Sequence, residues 1–137
     1  MNIRKLCWSI SLGLFTVTAV AETLVVNVSG IKPGEGDLRI GLFNTEKSFP
    51  YGEWAVGVEV PGTEESMRIE VTEVPAGQYA VSVVQDLNGN GKLDKNFVGM
   101  PKEPYGFSGD WKSGAASFDD AAIQIGPGET ETSIKMK

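Results

Sequence analysis

The chain has 137 residues, a length that suits one domain, and carries 12 Lys and Arg against 18 Asp and Glu, for a net charge of −6. An acidic chain with scattered lysines repels phosphate backbones, which argues against a nucleic-acid partner. There is no histidine, which excludes Ser-His-Asp and Cys-His catalysis and ordinary zinc chemistry.

The first segment reads as an export signal. Arg4 and Lys5 form a basic n-region, residues 6–20 an apolar h-region, and Ala19-Val20-Ala21 a small-x-small cleavage site. The apolar run is too short and too lightly flanked to serve as a transmembrane anchor. Cleavage after Ala21 predicts a mature domain of residues 22–137, with 10 Lys and Arg against 18 Asp and Glu, or −8. No second apolar run of spanning length follows, and no Lys/Arg cluster or basic amphipathic helix marks a membrane surface. The mature protein is therefore expected to be soluble, without membrane contact, in the periplasm or secreted. Cys7 is the sole cysteine and leaves with the signal. It follows Arg-Lys-Leu at the front of the h-region, not the small residues that precede a lipidated cysteine. The mature domain then has no thiol and no disulfide, so a core of adequate size and a metal clip are the physically sensible sources of stability.

In chain order, the apolar residues alternate with a period of two. Leu24, Val26 and Val28 begin the series, followed by Leu38, Ile40 and Leu42, and by a weaker set at Val56, Val58 and Val60. Met67, Ile69 and Val71, then Tyr79, Val81 and Val83, then Ile123 and Ile125, and finally Ile134 and Met136 complete it. This is the pattern of half-buried strands, about seven in number. Turn chemistry separates them at residues 32–36, at Val74-Pro75-Ala76-Gly77 and at Gly126-Pro127-Gly128. No convincing helical repeat occurs. Short strands with Gly/Pro turns predict an all-β domain, a sandwich or a barrel.

Two stretches interrupt the alternation. Residues 97–118 contain Phe97, Tyr105, Phe107, Trp111 and Phe118, half of the ten aromatics that remain after cleavage. Such a long segment is expected to be an ordered excursion, because disordered segments are poor in aromatics. Residues 44–57, with Phe49, Tyr51 and Trp54, form a shorter excursion of the same kind.

The most informative run is residues 86–94, Asp-Leu-Asn-Gly-Asn-Gly-Lys-Leu-Asp. Asp86, Asn88 and Asn90 match positions one, three and five of an EF-hand calcium loop, and Gly91 matches six. Lys92 would offer its backbone carbonyl at position seven, and Asp94 matches nine. Position twelve is Phe97, which cannot ligate, and a strand precedes the run where an EF-hand has a helix. The run is thus the first half of a calcium loop. A remaining ligand would have to come from water or from Asn96, Glu103, Asp110, Asp119 or Asp120. A metal-free double Asn-Gly turn is the competing reading. It explains the glycines, but explains less well why oxygen-bearing side chains recur through Asp94.

Three blocks together resemble the family known as domain of unknown function 2141, a set of small exported bacterial proteins. They are Val74-Pro75-Ala76-Gly77-Gln78-Tyr79-Ala80-Val81, the 86–94 run, and residues 99–108, Gly-Met-Pro-Lys-Glu-Pro-Tyr-Gly-Phe-Ser, with Phe118-Asp119-Asp120-Ala121 as a weaker fourth. The Pro-x-Gly-x-Tyr block also resembles prealbumin-like (transthyretin-like) sandwich domains, which implies a seven-stranded Greek-key β-sandwich of immunoglobulin or prealbumin type. The resemblance implies no catalytic residues. The adjacent pairs Asp119-Asp120 and Glu64-Glu65 point to opposite faces if they lie on strands, and read as solvated acidic turns. No enzymatic activity and no catalytic residue are expected. The expected role is that of a structural or protein-binding module with calcium at Asp86, Asn88, Asn90, Lys92 and Asp94. The alternative is a carbohydrate-binding module that presents Tyr105, Phe107 and Trp111 to a glycan, against packing of the same aromatics as a small core under a long loop.

Overall fold

The computed structural model describes residues 13–15 and 21–137. The export signal expected over residues 1–21 falls largely outside the described residues. Eight strands follow: β1 (Glu22–Ser29), β2 (Asp37–Phe43), β3 (Val56–Pro61), β4 (Ser66–Val74), β5 (Gly77–Asp86), β6 (Tyr105–Phe107), β7 (Ala122–Ile125) and β8 (Glu129–Lys135). A four-residue helix, α1 (Phe118–Ala121), precedes β7 and is capped by Ser117, whose side chain accepts from Asp120 N.

The strands form two sheets, a β-sandwich. One has the order β4-β1-β8, with β1 antiparallel to β4 and parallel to β8. The other has the order β3-β2-β5-β6, and β7 also pairs with β5. β6 pairs along Ser82–Val84 and β7 along Gly77–Ala80. All seven strands expected from the alternation are present. The eighth, β6, lies inside the aromatic excursion, where three residues carry too short a pattern to read.

The main core lies between the sheets. Leu24, Val26, Val28, Ile69, Val71 and Ile134 face Leu38, Ile40, Leu42, Tyr79, Val81 and Val83, all buried. Burying each such side chain contributes about 1.5–3 kcal/mol. The larger sheet is covered on its other face as well. A second cluster of Phe43, Phe49, Ala80, Phe107 and Ala121 packs there, with Trp54, Tyr105, Trp111 and Phe118 around it. The two excursions supply most of this layer, and β5 is therefore buried without a break from Tyr79 to Val83.

Buried polar side chains tie the connections to this frame. The Tyr79 hydroxyl donates to Pro75 O at 2.8 Å, closing the turn between β4 and β5 in the manner of a tyrosine corner. Gln85 is fully buried; its Oε1 accepts from Lys32 N at 2.8 Å and its Nε2 donates to Lys32 O at 2.7 Å. Ser108 Oγ accepts from Val81 N at 2.9 Å and donates to Ala121 O at 2.5 Å, holding β5 to α1. The end of β5, where Asp86 stands, is thus anchored from several directions.

Candidate metal centre

Asp86 ends β5 opposite Asp37 of β2 and is buried. Its carboxylate turns into the following loop. Oδ1 accepts from Asn90 N at 3.2 Å and Oδ2 from Gly91 N at 2.7 Å. The chain must bend sharply to bring those N–H groups back. Gly89 and Gly91 allow it by taking φ values of 68° and 74°, a region that costs other residues strain. Asn88 Oδ1 accepts from Asn90 N at 3.2 Å and Asn90 Oδ1 from Lys92 N at 2.9 Å, each an Asx turn.

These turns bring the alternate side chains to one side. Asp94 receives Asn90 Nδ2 at 2.7 Å on Oδ1, and Asn88 Nδ2 on Oδ2. Asp86, Asn88, Asn90 and Asp94 therefore belong to one hydrogen-bonded cluster. The Lys92 side chain points to solvent, leaving only its backbone as a possible ligand. Among the more distant donors, Glu103 reaches the loop. Its buried carboxylate accepts from Leu87 N at 2.9 Å on Oε1 and from Asp94 N at 3.0 Å on Oε2. The other donors do not arrive. Asn96 caps its own turn by accepting from Val98 N and Met100 N, both at 3.0 Å. Asp110 N donates to Asp120 O at 2.9 Å, and Asp119 and Asp120 form the first turn of α1.

The donor types suit a hard cation: carboxylates, amide oxygens and backbone carbonyls, with no sulfur or imidazole. Among the described residues, no three His, Cys, Asp or Glu side chains converge into a metal cage by themselves. Any ion held here depends on the asparagines and the backbone.

Sequence reasoning did not foresee Arg39 beside this loop. Arg39 projects from β2, pairs with Glu59 at 2.9 Å, donates through Nη1 to Gly91 O, and lies 4.8 Å from the centroid of Trp54. A groove of about 610 Å³ runs alongside, lined by Arg39, Tyr51, Trp54, Val84, Lys92 and Lys95. Arg39 and Gly91 are 52 positions apart, so only the pairing of β2 with β5 brings them together.

The three expected ligand-facing aromatics sit on the same face of the larger sheet, away from this groove's lining. Phe107 is buried, and Tyr105 and Trp111 are half-buried. The Tyr105 and Trp111 rings are 5.6 Å apart and inclined at 51°, while Phe107 meets Trp111 edge-on at 5.1 Å and 89°. These are packing geometries of a small aromatic core.

A family model described as "Uncharacterized protein conserved in bacteria (DUF2141)" matches residues 26–134. The chain belongs to this family. The match runs from β1 to β8 and takes in the whole 86–94 loop together with Glu103. No curated protein and no solved structure was found to match the chain.

Proposed function

We propose that this is an exported, non-enzymatic β-sandwich domain that binds calcium through its 86–94 loop and serves as a structural or protein-binding module. The observation that carries the reading is the gathering of Asp86, Asn88, Asn90 and Asp94 into one cluster that Glu103 closes from 16 residues downstream of Leu87. Asp86, Asn88, Asn90 and Asp94 would hold the ion through side-chain oxygens, which suit a hard cation. Lys92 would contribute its backbone carbonyl. With few charged ligands, the affinity belongs in the range of extracellular modules, a Kd of about 10⁻⁴ to 10⁻³ M. Such a site fills where calcium is millimolar, which agrees with export to the periplasm or beyond.

Titration calorimetry with calcium tests this reading, with magnesium as the control. Asp94→Asn is the informative variant. Asp86 also caps the turn through Asn90 N and Gly91 N, so its removal would disturb the loop with or without an ion. The reading predicts heat on calcium addition that falls at least about tenfold in affinity in Asp94→Asn. No calcium heat up to about 10 mM would leave the double Asn-Gly turn as a metal-free connection. The glycan alternative at Tyr105, Phe107 and Trp111 has less support, because sugar stacking favours an open ring face and these rings pack on one another.

A further inference from the structure

Between residues 21 and 137, the exposed large hydrophobics are Tyr51, Phe97, Val98 and Met100, at 63%, 100%, 65% and 60% exposure. Phe97, Val98 and Met100 share one turn. Residues 96–100 form a tight finger in which Asn96 N donates to Met100 O at 2.8 Å and Gly99 N to Asn96 O at 3.0 Å. The Asn96 side chain accepts from Val98 N and Met100 N inside it. An antiparallel bridge between Lys95 and Pro101 closes its base. Lys95 Nζ then lies 3.5 Å from the centroid of the Tyr51 ring, which places Tyr51 beside that base.

Single exposed apolar residues are ordinary, but a fully exposed phenylalanine with two aliphatic neighbours on a preformed turn is not. The charge around the finger narrows its partner. Lys95 and Lys102 are exposed beside the finger's base, and exposed Lys92 lines a groove with Lys95, on a domain whose net charge is strongly negative. An apolar tip, a tyrosine behind it and a lysine collar match the layers of an anionic bilayer: acyl boundary, headgroup level and surface charge.

We propose that the 96–100 finger is an interfacial anchor that inserts Phe97, Val98 and Met100 into membranes containing anionic phospholipid, with Lys92, Lys95 and Lys102 on the headgroups. A five-residue finger reaches only the interface, so the contact is shallow and reversible. The lysines are scattered in sequence over 11 positions; the bridge at Lys95 and Pro101 brings Lys95 and Lys102 together, and Lys92 shares a groove with Lys95.

The test is co-sedimentation of residues 22–137, which contain every strand and both core clusters, with vesicles of phosphatidylcholine with and without phosphatidylglycerol. Working in EDTA keeps the outcome separate from the calcium reading. Binding is expected to be about tenfold or more tighter to the anionic vesicles and to weaken with added salt. The pair Phe97→Ser and Met100→Ser should reduce it about tenfold or more while leaving the melting temperature unchanged, since both side chains are exposed. Lys95→Glu with Lys102→Glu should abolish the preference for anionic lipid. Absence of binding to anionic vesicles, or binding that the tip substitutions leave intact, would overturn the proposal. So would a finger-dependent dimer in sedimentation without vesicle binding, which would assign the patch to a second copy of the chain.

Discussion

Glu103 accepts the Asp94 backbone N–H at 3.0 Å, while its second carboxylate oxygen accepts from Leu87 at 2.9 Å. One buried side chain therefore clamps the start and the end of the candidate calcium loop. Glu103→Ala leaves two inward-facing N–H groups without their acceptor, and is expected to destabilise the domain by about 3 kcal/mol. Glu103→Gln keeps one acceptor oxygen and presents an NH₂ group to the other donor, so it should cost about half as much. Thermal unfolding in EDTA measures both without any contribution from metal.

Trp54 is seated on glycine. Gly41 of β2 pairs with Gly57 of β3, and a methyl group added at either would collide with the indole. Gly57→Ala is therefore expected to cost about 1–3 kcal/mol through overpacking. In the Trp54→Ala background the same substitution should cost far less. Urea unfolding of the two single variants and the double variant should give a coupling energy of about 1 kcal/mol or more.

Tyr79 predicts an alkaline signature. Burial raises its pKa above the ordinary tyrosine value, so the folded state holds the phenolic proton more tightly than the unfolded state. The resulting stability is fully present below pH of about 10, where both states are protonated, and is lost as pH rises through the folded pKa. Tyr79→Phe should flatten this part of the stability–pH curve. At neutral pH the variant should lose about 1 kcal/mol, for the hydrogen bond to Pro75 O. Denaturant melts between neutral pH and pH of about 11 follow both effects.

The sandwich was largely legible because a strand buried on one face writes its burial into alternate residues, as Leu38, Ile40 and Leu42 do. The β6 strand was not, because Tyr105–Phe107 is too short to show a period and is recruited by the edge of β5. Nor was α1, whose four residues depend on the Ser117 cap and the packing of Ala121. In the candidate site, the order Asp86, Asn88, Asn90, Asp94 was visible because a single loop carries it. Glu103 stood in the sequence as one of five equal donors; only the turn-back through Asn96 to Lys102, with Lys102 N donating to Asp94 O at 2.8 Å, sets it apart. The seat of Trp54 on Gly41 and Gly57 left no local signal, since it depends on the β2–β3 register.

Calcium binding by the 86–94 loop is read most directly from thermal unfolding of residues 22–137 in EDTA and then in about 10 mM calcium, with magnesium as control. For a Kd of about 0.1–1 mM, linkage predicts about 1.4–2.7 kcal/mol of added stability. That corresponds to a rise of about 5–10 °C in melting temperature for a domain of this size. Calcium binding at the loop predicts a calcium-selective rise in this range that Asp94→Asn cuts by about half or more. A melting temperature unchanged by calcium, or raised equally by magnesium and in Asp94→Asn, would contradict it.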